Sequence, residues 1–363
     1  MSVSAELDRL LDALHQTLAD GSTAALATLV RTRGSTFRRA GTAMLVHADG
    51  RVVCALSGGC PQRDIVHRAR DVIRDERATL ARYDPEHGLD VMMEMGCEGE
   101  LEVLIEPLAA QLEHDWVARL RSWRGQRREG VLATAYSGPG GAILPHPRRL
   151  LWSGAVLHDA LRDNLLREQL EACLQQPPAR TTVVTLRGSE GPVGILLQPL
   201  SPRYRLLLIG SHGGAQALAR VGLQLGWQVT VVDADSEALA GSEMPEAVHR
   251  LAAGPDALRK QLHADRYSAA VVMTHHLYRD IEYLNALADA PLAYLGALGS
   301  RQRAARMQQA TGLDATRLRA PAGLDIGSET PQEIAVAVAA EIMAQMHRRE
   351  GRALSAHDGP IHD

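Results

Sequence analysis

YRLLLIGSHGGAQALARVGLQLGWQVTVVDAD, residues 204 to 235, decides the fold of the C-terminal half. A continuous apolar strand over 204–210 runs into a glycine-rich turn, a helix, and a second strand over 227–235. An unbroken apolar strand is one covered on both faces, as in a parallel sheet flanked by helices. AVHRLAA, a helix near 255–263, the strand SAAVVMT (268–274), a further helix, LAYLGALG (292–299) and a helix from Ser300 continue the series. Strand and helix alternate at βαβ spacing, which predicts a doubly wound parallel sheet of Rossmann type over residues 201–348. A last helix from Pro331 to about His347 closes it, and the polar stretch 349–363 is expected to be a flexible tail.

The turn is unusual. In GxGxxG/A the first glycine makes the bend, the second admits a pyrophosphate, and the third small residue lets helix and strand pack. Gly210 and Ala215 fit, but His212 stands where the second glycine belongs, and a side chain there obstructs the phosphate. Asp233 ends the second strand where an acidic ribose ligand would sit. The segment therefore predicts the fold firmly and a bound nucleotide weakly. An NAD(P)-dependent oxidoreductase and a scaffold for another ligand or for docking both remain open. Ligands of such sheets bind at the carboxyl ends of the strands. Thr274-His275-His276 and Gly299-Ser300-Arg301 fall there, the latter opening a helix whose N-terminus favours anions.

The first 200 residues have a different rhythm. Leu7, Leu11, Leu14 and Leu18 mark an amphipathic helix, and AALATLVRT (24–32) a buried strand. RGSTFRRAG (33–41) is a polar loop bearing Arg38 and Arg39, whose guanidinium forks match phosphate geometry. Residues 42–60 predict a hairpin turning near Asp49-Gly50. Its second strand, with Cys54 in mid-strand, leads into Gly58-Gly59-Cys60 and a helix expected to reach about Tyr83. GELEVLIEPL (99–108) follows Gly96-Cys97, and further helix and strand segments over 109–200 predict an α+β domain with an antiparallel or mixed sheet. No internal repeat stands out. The fold class is thus α/β, an N-terminal α+β domain over 1–200 and the Rossmann-like domain after it.

A cysteine at a helix N-terminus meets unpaired N–H groups and the positive end of the helix dipole, both of which favour the thiolate. Cys60 has this setting, with Gly58 and Gly59 leaving room beside it. Cys97 lies at a similar glycine-flanked edge, whereas Cys54 and Cys173 read as packing residues. None of the four cysteines forms a CxxC pair, which disfavours a zinc or thioredoxin site. The formal charge of −4, without a basic stripe, argues against nucleic-acid binding. No apolar run nears the roughly 20 residues of a membrane span, and the polar N-terminal helix is not a signal peptide, so a cytoplasmic protein is expected.

TRGSTFRRAGTAMLV, LSGGC and GCEGELEVLIEPL resemble the N-terminal domain of XdhC/CoxI proteins, accessory proteins of xanthine dehydrogenase and related molybdenum hydroxylases. LLLIGSHGGAQALARVGLQLGWQVTVVDAD, VVMTHHLYRD, YLGALGSRQRAARM and RAPAGLDIGSETPQEIAVAVAAEI resemble the family's Rossmann domain. The motif core of the first domain spans about 20–110, and residues 110–200 resemble the family least. The resemblance implies a chaperone, rather than an enzyme, that carries molybdenum cofactor (molybdopterin) as cargo. It would assist sulfuration with a cysteine desulfurase and deliver the cofactor to an apo molybdenum hydroxylase, working as a homodimer. By position it places Cys60 and Cys97 at the cofactor, with Thr274, His275, Ser300 and Arg301 on the Rossmann motifs, and Gly58, Gly59, Arg38, Arg39, Gly210 and His212 join them as candidate cofactor-binding residues. Molybdenum is thiophilic, which makes Cys60 a candidate metal contact. Two departures stand out. Pro61-Gln62-Arg63-Asp64 replaces the family's early acid after the cysteine, and Gly210-Ser211-His212-Gly213 replaces GAGH, which argues against a nucleotide in this protein.

Overall fold

The computed structural model describes residues 3–34, 36–56, 60–84, 99–108 and 110–356, and it divides into two compact units between Pro202 and Arg203. Gly58, Gly59 and Cys97 lie outside the described residues. Of Cys60 only the backbone is described.

The unit ending at Pro202 begins with α1 (Val3–Ala19), β1 (Ala24–Arg33), β2 (Ala43–His47), β3 (Val52–Val53), α2 (Cys60–Asp75), β4 (Thr79–Tyr83) and β5 (Glu100–Pro107). It continues with α3 (Ala110–Arg124), β6 (Gly130–Ser137), β7 (Ile143–Trp152), β8 (Val156–Asp159), α4 (Asn164–Leu174), β9 (Thr182–Gly188) and β10 (Gly191–Leu200). The described elements thus run α-β-β-β-α-β-β twice. The sheets repeat as well, in the orders β3-β2-β1-β5-β4 and β8-β7-β6-β10-β9, with every neighbouring pair antiparallel. Register follows suit. Leu26 faces Leu45 as Leu132 faces Leu151, and Thr28 faces Leu104 as Thr134 faces Leu196. The unit is therefore a tandem structural duplication, which the sequence did not disclose.

Strand alternation builds the packing. Ala25, Ala27 and Leu29 point to the face covered by Ile65, Ala69 and Val72 of α2. Val131, Ala133 and Ala135 likewise meet Leu166, Leu170 and Leu174 of α4. The opposite faces meet each other, Val30 and Leu104 of the first sheet clustering with Tyr136 and Leu196 of the second. Leu10, Leu11 and Leu14 of α1 and Trp116, Val117 and Leu120 of α3 join Leu26, Leu45, Leu132 and Leu151 in one core. Between the sheets Glu106 of β5 and Arg149 of β7, both almost fully buried, form an ion pair, and the Arg149 guanidinium lies 4.4 Å from the centre of a Trp116 ring.

Two local expectations change. The helix from Cys60 stops at Asp75, because Glu76 takes a left-handed φ of 51° and the chain re-enters the sheet as β4, paired with β5. Cys54 is not in mid-strand. It follows the two-residue β3 with φ 63°, and its thiol donates to the Glu6 carbonyl.

In the C-terminal unit β11 (Arg205–Ile209), β12 (Gln228–Asp233), β13 (His249–Ala252), β14 (Ser268–Val272) and β15 (Tyr294–Ala297) form a wholly parallel sheet ordered β13-β12-β11-β14-β15. The helices are α5 (Gly213–Gln224), α6 (Ser236–Ala240), α7 (Pro255–Gln261), α8 (Leu277–Leu287), α9 (Arg301–Thr311) and α10 (Pro331–Met346). Leu206 and Leu208 face a core with α5 and α10, and Leu207 and Ile209 face one with α8. Both faces are covered, as the unbroken apolar strands predicted. The strand order reverses between β11 and β14, and the crevice at their carboxyl ends is where such sheets bind ligands.

Candidate functional site

That crevice is built from the β11–α5 and β14–α8 turns. Gly210 sits at φ 112°, where a side chain would come within 2.8 Å of the Met273 carbonyl oxygen, so glycine is required. The chain then passes Ser211 and enters α5 at Gly213, with His212 as the N-cap residue and no capping bond from its side chain. A side chain at Gly213 would meet nothing within 4 Å, so the open mouth of the helix lies there. His212 and His275 approach across the crevice with ring centroids 5.5 Å apart and planes tilted by 54°. His275 holds φ 64°, a conformation that costs a non-glycine residue about 1–2 kcal/mol and gathers at functional sites.

Beneath the histidines lies a buried polar cluster. The Thr274 hydroxyl donates to Asp280 Oδ1 at 2.6 Å, the Thr274 N–H donates to the same oxygen at 3.1 Å, and Arg303 Nη2 donates to Asp280 Oδ2 at 2.5 Å. Asp280 is fully buried, and a buried carboxylate persists only with such partners. The cluster locks the β14–α8 turn to α9. Ser300 caps α9 by accepting the Arg303 N–H at 3.2 Å, and Arg301 opens that helix as an exposed residue. Gly210, His212, Thr274, His275, Ser300 and Arg301 therefore all lie at the carboxyl edge of one sheet, Thr274 buried and the two histidines exposed.

Asp233 does not stand free as a ribose ligand would. Its Oδ2 accepts both the N–H and the hydroxyl of Ser211, at 3.1 and 2.8 Å, and its Oδ1 accepts the Asp235 N–H at 3.1 Å. Its carboxylate braces the Gly210–Gly213 loop.

In the first unit, Cys60 is the first residue of α2, as the sequence predicted for a thiol at a helix start. Asp64, one turn further on, accepts Arg68 Nε at 2.6 Å and the Tyr83 hydroxyl at 2.7 Å. Partial burial pushes the Asp64 carboxyl up, but these two donors outweigh it and hold the group below its ordinary range. Burial, and then the same carboxylate, drives the Tyr83 hydroxyl far above its usual value. Arg38 is engaged with the Glu6 carboxylate of α1, and the Thr36 hydroxyl donates to the Arg38 carbonyl at 2.9 Å. Among the described residues no group of three or more potential ligands could hold a metal ion, and no helix is long and apolar enough to cross a membrane.

Sequence reasoning missed Asp280, Arg303 and Asp64. A signal for the first was present: Asp280 shares the buried stripe of α8 with Tyr283, Leu284 and Leu287, and a carboxylate in an apolar stripe needs a buried partner.

Fold and edge together define a Rossmann-type domain following a duplicated α+β unit, with a histidine-lined crevice and a cysteine-led helix. The model of the XdhC Rossmann domain matches residues 206–342, and that of the XdhC and CoxI family matches 17–84. A Bacillus subtilis (strain 168) protein, named as a probable xanthine dehydrogenase subunit, is 30% identical over 343 residues, 93% of this chain and 97% of its own. The molybdenum cofactor insertion chaperone PaoD of Escherichia coli K12 is 25% identical over 353 residues, 93% of this chain and 89% of its own. A Bacillus halodurans protein, whose crystal structure is described as that of a xanthine dehydrogenase, shares the fold with a TM-score of 0.77 at 22% identity, covering 96% of this chain and 97% of its own. The chain belongs to the XdhC and CoxI family.

Proposed function

We propose that this protein is an accessory factor that binds molybdenum cofactor as cargo, assists its sulfuration by a cysteine desulfurase, and delivers it to an apo molybdenum hydroxylase of the xanthine dehydrogenase type. The observation that carries the reading is the similarity along 93% of the chain to a relative named as a molybdenum cofactor insertion chaperone. The local chemistry supports it. Cys60 opens α2, where the helix dipole favours a thiolate, and a thiolate is a soft ligand suited to molybdenum. Gly58, Gly59, Cys97, Arg38 and Arg39 are proposed with it, Arg38 from its pairing with Glu6. His275, His212 and Arg301 are exposed at the Rossmann edge as a separate set of polar groups, and Thr274, given to Asp280, holds their turn in place. The protein acts as a cytoplasmic homodimer and needs no turnover of its own.

The test is retention of molybdopterin. Protein and released cofactor are mixed without air and separated by size, and bound pterin is read by fluorescence after oxidation. Wild type is expected to retain pterin, Cys60→Ala to lose most of it, and Cys173→Ala to behave as wild type. Equal retention by both variants would remove the thiol from the mechanism, and no retention by wild type would leave a docking role instead. An NAD(P)-dependent oxidoreductase is the weaker reading, because Asp233 is already engaged by Ser211 and His212, the N-cap of α5, stands where the motif's second glycine would be. Nicotinamide nucleotides are accordingly expected to leave Tm unchanged, where a tight ligand would raise it.

A further inference from the structure

The duplication in residues 6–202 gives the first copy's loops counterparts in the second. Thr28 faces Ala43 and Thr134 faces Arg149, so Arg149 holds the place of Ala43. Ahead of that pair the copies part: the first has the loop bearing Arg38 and Arg39, and the second continues β7 back through Pro145 to Ile143. The β8–α4 connection, 160–163, replaces the β3–α2 connection that leads to Cys60. A cavity of about 260 Å³ lies at this position in the second copy. Its walls include Trp116, Pro145, His146, Arg148, Arg149 and Arg162. The volume is near the lower end of small-molecule sites, which run from roughly 300 to 1,000 Å³.

The lining holds three arginines and no carboxylate, while Asp159 beside it accepts the Leu161 N–H at 2.8 Å. Arg149 is matched by Glu106. Arg148 donates to a neutral group, the Leu161 carbonyl, at 3.0 Å. Arg162 is exposed and has no acidic partner among the described residues. Two guanidiniums thus remain without a bonded carboxylate, in a cavity lined also by His146, Arg149 and the apolar Trp116, Leu144, Pro145 and Pro147. A dianion suits two guanidiniums better than a single carboxylate does, and phosphate oxygens fit their forks. The flat apolar walls suit a ring.

We propose that this cavity is a binding site for a phosphate monoester carried on a small planar ring, with Arg148 and Arg162 holding the phosphate and the apolar surface at Leu144 and Pro145 holding the ring. The site is distinct from the cysteine-led loop, and its test is independent of the cofactor reading above.

The test is calorimetric titration of the full chain with phenyl phosphate, inorganic phosphate and benzoate at low ionic strength. Phenyl phosphate is expected to bind saturably and about tenfold more tightly than either of the others. Arg162→Gln is expected to weaken it about tenfold, the worth of one charge-assisted contact. Arg148→Gln is expected to do the same, and Arg259→Gln, an exposed arginine of α7 that donates to the Asn285 carbonyl, to change nothing. Melting curves matching wild type establish that the arginine variants are folded, and Arg162, exposed on a loop, is the safer of the two. Absence of saturable binding into the millimolar range would overturn the proposal. Equal affinity for inorganic phosphate, or binding undiminished in both arginine variants, would overturn it as well.

Discussion

The two copies within residues 6–202 share one topology and differ in what they do with the start of their second helix. In the second copy Asp163 caps α4, Oδ1 accepting the Leu166 N–H at 3.0 Å. Its Oδ2 accepts the N–H and the hydroxyl of Ser189 at 2.8 and 2.9 Å, which ties the helix start to the short β9–β10 turn. In the first copy Cys60 and Pro61 open α2, and residues 84–99, with Cys97 among them, separate β4 from β5. A helix start satisfied by a carboxylate gains stability and offers fewer N–H groups to a ligand. One fold, used twice, thus yields a closed end in one copy and a cysteine-bearing end in the other.

The largest effect is expected where the copies meet. Burial raises the Glu106 carboxyl's pKa, against the pull of Arg149 beside it. Arg149→Met would leave that carboxyl buried without a counter-charge, at a cost of about 3–5 kcal/mol. Urea unfolding followed by circular dichroism measures it. Combining the change with Glu106→Leu should restore most of the loss, since two apolar residues need no partner. A single-variant loss under about 1 kcal/mol would mean that water reaches the pair and that it does not hold the sheets together.

A smaller effect tests the closed helix start. Asp163→Ala removes a helix cap and the link to Ser189, and should lower stability by about 1–2 kcal/mol. Asp163→Asn retains a capping oxygen and should lose less than half of that. If alanine and asparagine were equally damaging, charge rather than capping would be the stabilising feature. The contrast between the copies would then concern electrostatics at the helix dipole instead of hydrogen bonding.

The parallel sheet was legible because its strands are continuous apolar runs broken by glycine turns, a pattern that depends only on local burial. The duplication was not, because matching positions in the two copies share buried character rather than identity. Leu10 and Trp116 share the common core at matching places in α1 and α3, and Ile65 and Ala69 of α2 do for the first sheet what Leu166 and Leu170 of α4 do for the second. The overextended helix after Cys60 had a similar cause. Thr79–Tyr83 carries helix-compatible residues, and its pairing with β5 is a long-range fact that no local window contains. At the Rossmann edge the glycines and histidines were visible as motifs. Their supports, Asp280 and Arg303, lie 23 residues apart and meet only once α8 and α9 pack.

The first copy also uses a carboxylate to tie its second helix to the strands that follow, but inside the helix. Asp64 grips Tyr83 of β4, as Asp163 grips Ser189 beside β9. Asp64→Asn keeps the shape and removes the charge that Arg68 and Tyr83 stabilise, so a loss of about 1 kcal/mol is expected at neutral pH. The sign of its pH dependence is fixed by the depressed carboxyl. The unfolded chain takes up this proton near pH 3.9, while the folded protein resists until lower pH. The stabilisation is therefore complete above about pH 5 and is lost as pH falls through the folded value. Wild type should begin to lose its advantage over Asp64→Asn as pH falls below about 4, and melting temperatures taken in parallel as the pH is lowered measure the difference. A constant gap down to pH 3 would mean that the amide loses a contact of shape and not of charge. The tie at α2 would then resemble the Asp163 cap more closely than its chemistry suggests.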